Sequence, residues 1–196
     1  MDEIKGIDYK IVLKNLGYEA EQIDPMFIEK LDICEEEIFS SFLPRFTSKC
    51  YTIKKDEDRI LLVEPDMYLP GKKIEKDLYY CDKAVLFCAT VSGKTDVLIQ
   101  RAEASAIEKA VLMDSIAWGA LEKYCDYIET DVSAKYPDYI LTNRFSAKYG
   151  DFPIGSSKDF TAILDSERKI GVSCNEAGVF SPRYSLTGIL GLIRKD

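Results

Sequence analysis

Histidine is absent from all 196 residues. Its absence excludes Ser-His and Cys-His nucleophilic machinery, histidine general bases, and the common zinc and non-haem iron ligand sets. Any chemistry must come from carboxylates, Lys, Tyr, Cys or a bound cofactor. Long apolar runs are missing too: stretches such as Ala84–Ala89 and Gly188–Ile193 fall far short of the roughly 20 residues that span a bilayer. The N-terminus MDEIKGIDYK is charged from its second residue and has no apolar segment of a secretory signal, which points to a cytoplasmic protein with no membrane partner. Six cysteines are present, none in a C-x-x-C pair. Scattered in this way in a reducing compartment, they read as small buried hydrophobes rather than as disulfides, a metal site or an iron–sulfur site.

What the chain does contain is a globular composition. Hydrophobic residues make up 46% and charged residues 31% of 22.2 kDa, enough apolar mass for one core. The length predicts one domain over residues 1–196, of which residues 1–48 form a helical N-terminal part. Acidic side chains number 34 against 26 basic ones, giving a net charge of −8. A field of that sign repels phosphate backbones and excludes nucleic acid as a natural partner.

Along the chain, Tyr9–Leu16 predicts a short amphipathic helix closed by Gly17. In Asp24–Phe42, Asp24 caps, Pro25 takes the first helical position, and Phe27, Ile28, Leu31, Ile38 and Phe42 recur at helical spacing, with Pro44 as the stop. Tyr51–Ile53 and Ile60–Val63 flank a charged KKDEDR tip and predict a hairpin. LPGKKIEKDL reads as a Pro-Gly turn followed by polar residues. Lys83–Thr90 is apolar almost throughout, as in a strand covered on both faces. The longest helix falls within Arg101–Glu129, where Ala106, Ala110, Met113, Ala117, Ala120, Tyr124 and Tyr127 mark one face, rich in small side chains. Further elements are expected at Tyr139–Thr142 (strand), about Lys158–Arg168 (helix), Ile170–Cys174 (strand) and Leu186–Ile193 (a central strand containing Gly188 and Gly191). Strands and helices alternate irregularly, which predicts an α+β fold: N-terminal helices followed by a mixed, largely antiparallel sheet packed with a long helix.

Two segments carry the chemical argument. TVSGKTD at 90–96 imitates the end of a phosphate-binding loop, but the required first glycine falls on position 88, which is Cys88, and no apolar run ending in Asp follows. Ser92–Lys94 therefore reads as a strand-to-helix turn. RFSAKYGDFP at 144–153 combines a guanidinium, a phenol, turn residues and a carboxylate at the end of a strand, where binding groups are commonly presented. Arg144 can pair with a ligand carboxylate, and Tyr149 offers a flat face with a hydroxyl at its edge. The alternative for this pair is an Arg that caps a loop and a Tyr that closes the core. On the long helix, Asp114 and Glu122 are eight apart, and Glu122, beside the small-residue face, can attract an ammonium or sulfonium or serve as a solvated helix charge. Trp118, the sole tryptophan, reads as a packing residue.

Taken in order, LKNLGYE, AVLFCATVSGKTDVLIQR, MDSIAWGALEKY, NRFSAKYGDFPIG and KIGVSCNEAGVFSPRYSLTGILGL resemble the reactivation (activation) domain of cobalamin-dependent methionine synthase, in a compact free-standing form. The resemblance implies an S-adenosylmethionine site at Arg144, Ser146, Tyr149 and Glu122, with Arg144 gripping the methionyl carboxylate. It implies no catalytic residue of the chain's own. The cofactors carry the chemistry: cobalamin held by a partner, a cobalamin-binding methionine synthase or other corrinoid protein acting in trans, is reduced by a donor such as flavodoxin and remethylated. Where the family pattern has Pro-Gly before the Tyr, this chain has Ala147-Lys148. That departure opens a second reading, a non-catalytic scaffold docking on a corrinoid protein without S-adenosylmethionine.

Overall fold

The structure, a computed structural model, describes residues 12–13, 16–17, 24–57, 59–146 and 152–195. Of the expected first helix, Val12 and Leu13 are helical and buried, and Gly17 adopts φ 76°; the rest of that stretch lies outside the described residues.

Helix α1 (Pro25–Ser41) starts as its sequence dictates. The Asp24 carboxylate accepts from the Met26 N–H at 3.0 Å and Pro25 occupies the first turn, so an otherwise orphaned donor is satisfied. Leu31, Cys34 and Ile38 form its buried stripe. Strands β1 (Arg45–Asp56) and β2 (Arg59–Leu62) make the expected hairpin, and β3 (Met67–Leu69) extends it. Helix α2 (Lys72–Asp77) replaces the expected polar turn: Ile74 and Leu78, four apart, are buried and anchor it, but two apolar positions in one turn are too few to register as periodicity.

Strand β4 (Lys83–Thr90) pairs antiparallel with β1 on one side and β9 (Ser185–Arg194) on the other. Among the described residues the main sheet runs β3-β2-β1-β4-β9-β5, where β5 is Tyr139–Leu141; β6 (Phe145–Ser146) also pairs with β9, and every ladder is antiparallel. The uninterrupted apolar run of β4 follows from its position. Val85, Phe87 and Ala89 join a core with the helices α1, α3 (Gly93–Ser105) and α4 (Ile107–Lys135). Ala84, Leu86 and Cys88 join a second core with α2, β2, β3, α5 (Ser156–Leu164) and α6 (Ser166–Ile170). Helices thus cover both faces of an antiparallel sheet. Phe87 lies opposite Gly188, where a Cβ would come within 2.5 Å of the ring, so glycine is the residue that admits this aromatic.

The expected long helix is divided at Ala106, where φ −154° and ψ 84° separate α3 from α4. Neither Gly nor Pro marks the break; the Ser105 hydroxyl donates to the Arg101 carbonyl at 3.1 Å, the back-bonding by which serine competes with the helical ladder. Asp165, in the left-handed region, similarly divides the expected 158–168 helix into α5 and α6. Ile170 closes α6 rather than opening a strand, and only β7 (Ser173–Cys174) remains extended, paired with β8 (Phe180–Ser181). All six cysteines are free; Cys34, Cys81, Cys88 and Cys125 are buried. Burial pushes the Cys88 thiol up to about 12, which makes it chemically inert at neutral pH. No helix among the described residues is long and apolar enough to cross a membrane.

Candidate functional site

Helix α4 presents Asp114, Trp118, Glu122, Asp126 and Glu129 at intervals of four, four, four and three, which places them on one face. The opposite, small-residue face does what helix packing requires: Ala110, Met113, Ala117 and Ala120 are buried in the core against the sheet. The polar face instead borders a groove of about 490 Å³, within the range of small-molecule sites. Trp118 and Glu122 form one wall. Ser146 from β6 and Ser157 from α5 contribute polar atoms, and Ser185, Leu186 and Thr187 come from the start of β9. The remaining lining is Ile154, Gly178 and Val179 of the turn before β8, Phe180 at the start of β8, and Arg183, which closes the end of the groove near Asp114.

That turn is fixed from within. The Asn175 side chain accepts from the N–H groups of Ala177 and Val179, both at 3.0 Å. Gly178 has φ 74°, and a Cβ there would fall 2.0 Å from Ile154 Cγ2, so the glycine lets the turn and Ile154 close against one another. Strand β9 is tied by Ser185, whose hydroxyl meets Thr90 Oγ1 at 2.9 Å and the Pro182 carbonyl at 2.7 Å. Thr187 donates to the Ser157 hydroxyl at 3.3 Å, linking β9 to α5 at the groove.

Two arginine clusters bracket Trp118. At one end, Arg144 donates to Glu122 at 2.5 Å, Glu129 at 2.7 Å and Asp126 at 3.3 Å, and its side chain is only 17% exposed. Burial pushes the Glu129 carboxyl above its ordinary value; Arg144 pulls it down, while Asp126 and Glu122 push it further up. At the other end, Arg183 reaches Asp114 at 2.8 Å and Glu103 at 3.3 Å. Its own N–H donates to Asp96 at 2.7 Å, which fixes the backbone. Asp114 also accepts from the Tyr184 hydroxyl at 2.7 Å, and the Tyr184 ring packs edge-on to Trp118 with centroids 5.5 Å apart. Burial, then the Asp114 contact, drives the Tyr184 phenol far above its ordinary range, so it acts as a donor and not as a base.

Of the four sequence-predicted site residues, Glu122 and Ser146 line the groove, and Arg144 stands behind Glu122, bonded to it. Tyr149 and the Ala147-Lys148 departure lie outside the described residues. Trp118, read from sequence as packing, does both jobs: it packs on Tyr184 and faces the groove. Arg183, Ile154 and the 178–180 turn were not legible as site residues. The signal available for Arg183 is an arginine directly after Ser-Pro between β8 and β9; its ion pair with Asp114 of α4 is a long-range contact that nothing local announces.

The class these features define is an α+β domain with an antiparallel sheet covered on both faces and a ligand-sized groove at the start of β9, an inner strand next to the β5 edge. No family model matches the sequence, and no curated protein matches it. Among solved structures, the MetH reactivation domain bound to AdoHcy is similar in fold: the TM-score is 0.72 at 14% identity, over 100% of this chain and 76% of that one. The expected α+β architecture is therefore the one observed, and it is shared with that domain.

Proposed function

We propose that this chain is a reactivation module that binds S-adenosylmethionine in the groove between α4, β6 and β9. In this reading it supports reductive remethylation of cob(II)alamin in a cobalamin-dependent methionine synthase acting in trans, with an electron donor such as flavodoxin. The observation that carries the reading is the coincidence of the groove with Glu122 and Ser146, in a fold shared with a reactivation domain bound to AdoHcy.

The residues fit such a ligand. Trp118 offers a π face for an adenine or a sulfonium, Glu122 a carboxylate for positive charge, and Ser146, Ser157 and Thr187 hydroxyls for ribose or amino-acid polar groups. When bound, S-adenosylmethionine supplies an electrophilic methyl group to the partner's reduced cobalt. The chain itself binds and orients; it holds the sulfonium end beside Glu122 and excludes water with Ile154 and the 178–180 turn.

Isothermal titration of the intact protein with S-adenosylmethionine tests this, with saturable one-site binding as the expected result. A flat titration, both alone and with a corrinoid methionine synthase present, overturns it. The occupied state of Arg144, held by three carboxylates, favours a second reading, a scaffold that docks on a corrinoid protein without S-adenosylmethionine. Retention of that protein in a pull-down combined with a flat titration selects it.

A further inference from the structure

The two arginines at the ends of the Trp118 wall are not equivalent, and their difference decides which can hold a ligand carboxylate. Arg144 is 17% exposed and bonded on both terminal nitrogens to three carboxylates. Glu129, one of them, is itself only 31% exposed. Turning Arg144 towards a ligand would leave Glu129 half-buried beside two other carboxylates with its cation gone, the arrangement that costs most among ion pairs. Arg183 is 54% exposed and lines the groove directly. Of its partners, Glu103 is half exposed to water, and Asp114, at 32% exposed about as covered as Glu129, keeps the Tyr184 hydroxyl at 2.7 Å when the guanidinium leaves. Its backbone stays anchored by the N–H bond to Asp96 during such a swing.

We infer that Arg183 is the anchor for the carboxylate of the groove's ligand, and that Arg144 is a positioning residue that holds Glu122 in the wall for the ligand's positive end. The assignment rests on the reading of the groove as an S-adenosylmethionine site. It orients the ligand along α4: the carboxylate, with the α-ammonium on the same carbon, towards the Asp114 end, and the sulfonium towards Glu122 past Trp118. A bidentate guanidinium–carboxylate pair is directional, so removing either partner removes the preference for ligands that carry the carboxylate.

Calorimetric titration with S-adenosylmethionine and with decarboxylated S-adenosylmethionine, on the intact protein and on Arg183→Met and Arg144→Met, tests the assignment. The expected result is at least a tenfold preference for the carboxylate-bearing ligand in the intact protein, loss of that preference in Arg183→Met, and its retention in Arg144→Met whatever the change in overall affinity. Arg144→Lys, which keeps one cation among the carboxylates, replaces the Met variant if circular dichroism shows that variant unfolded. A preference that survives Arg183→Met, that disappears only in the Arg144 variant, or that is absent from the intact protein overturns the anchor while leaving the groove as the site. Failure of the intact protein to bind either ligand overturns the groove reading and the anchor with it.

Discussion

Arg144 shows how a sequence motif and its structural duty can separate. Its neighbours in sequence mark it as a binding residue; its neighbours in space are Glu122, Asp126 and Glu129, contributed by a helix some twenty residues earlier. The (i, i+4, i+7) spacing of those carboxylates is visible in the sequence, but nothing local says that a loop arginine will dock across it. Arg144→Met is expected to lower stability by about 1–3 kcal/mol, the cost of leaving partly buried carboxylates without their cation, read as a lower urea midpoint with unchanged slope. Glu129 carries a pH prediction. Its folded-state carboxyl titrates above its ordinary value because of burial, so its contribution to stability is fully present below the ordinary glutamate value and is lost as pH rises through the raised one. Glu129→Gln therefore gains stability relative to the natural protein as pH rises from about 4 to 7, while Glu122 and Asp126 continue to hold Arg144. Urea midpoints at the two pH values check the sign; a variant that becomes relatively less stable towards neutrality contradicts it.

At the scale of elements, the strongly patterned segments were legible and the marginal ones were not. β4 and α1 fall where apolar continuity and an Asp-Pro start place them. The Ser92–Lys94 turn also behaves as read, with the Ser92 hydroxyl accepting from the Lys94 N–H at 3.0 Å. By contrast, α2 rests on two buried side chains and β7 and β8 on two residue pairs, decided by tertiary contacts rather than local preference, while the α3–α4 break coincides with a local serine back-bond that no Gly or Pro announces. The 178–180 turn goes with β7 and β8, which is why that part of the groove escaped the sequence. Gly178→Ala tests its role: the new Cβ meets Ile154 and the left-handed φ strains alanine. A loss of about 1–2 kcal/mol is expected from strain and displacement together, with weakened binding of S-adenosylmethionine. Unchanged affinity in a destabilised variant would confine the turn to a structural role.

For the molecule as a whole, a sheet covered by helices on both faces leaves the start of β9, at the edge of both cores, as the place where α4, β6, α5 and the β7–β8 hairpin meet around one groove. The net charge of −8 and the carboxylate surplus around Arg144 and Arg183 favour a ligand with net positive charge. Affinity for S-adenosylmethionine is accordingly expected to fall as ionic strength rises from about 0.01 to 0.5 M, as screening shortens the reach of these charges. Trp118, the sole tryptophan, stands in the groove wall and makes the central claim directly readable. Titration of the intact protein with S-adenosylmethionine while following tryptophan fluorescence is predicted to give a saturable change that Trp118→Phe abolishes. Fluorescence that stays constant to saturating ligand, with no heat of binding, contradicts the assignment of this groove as the ligand site.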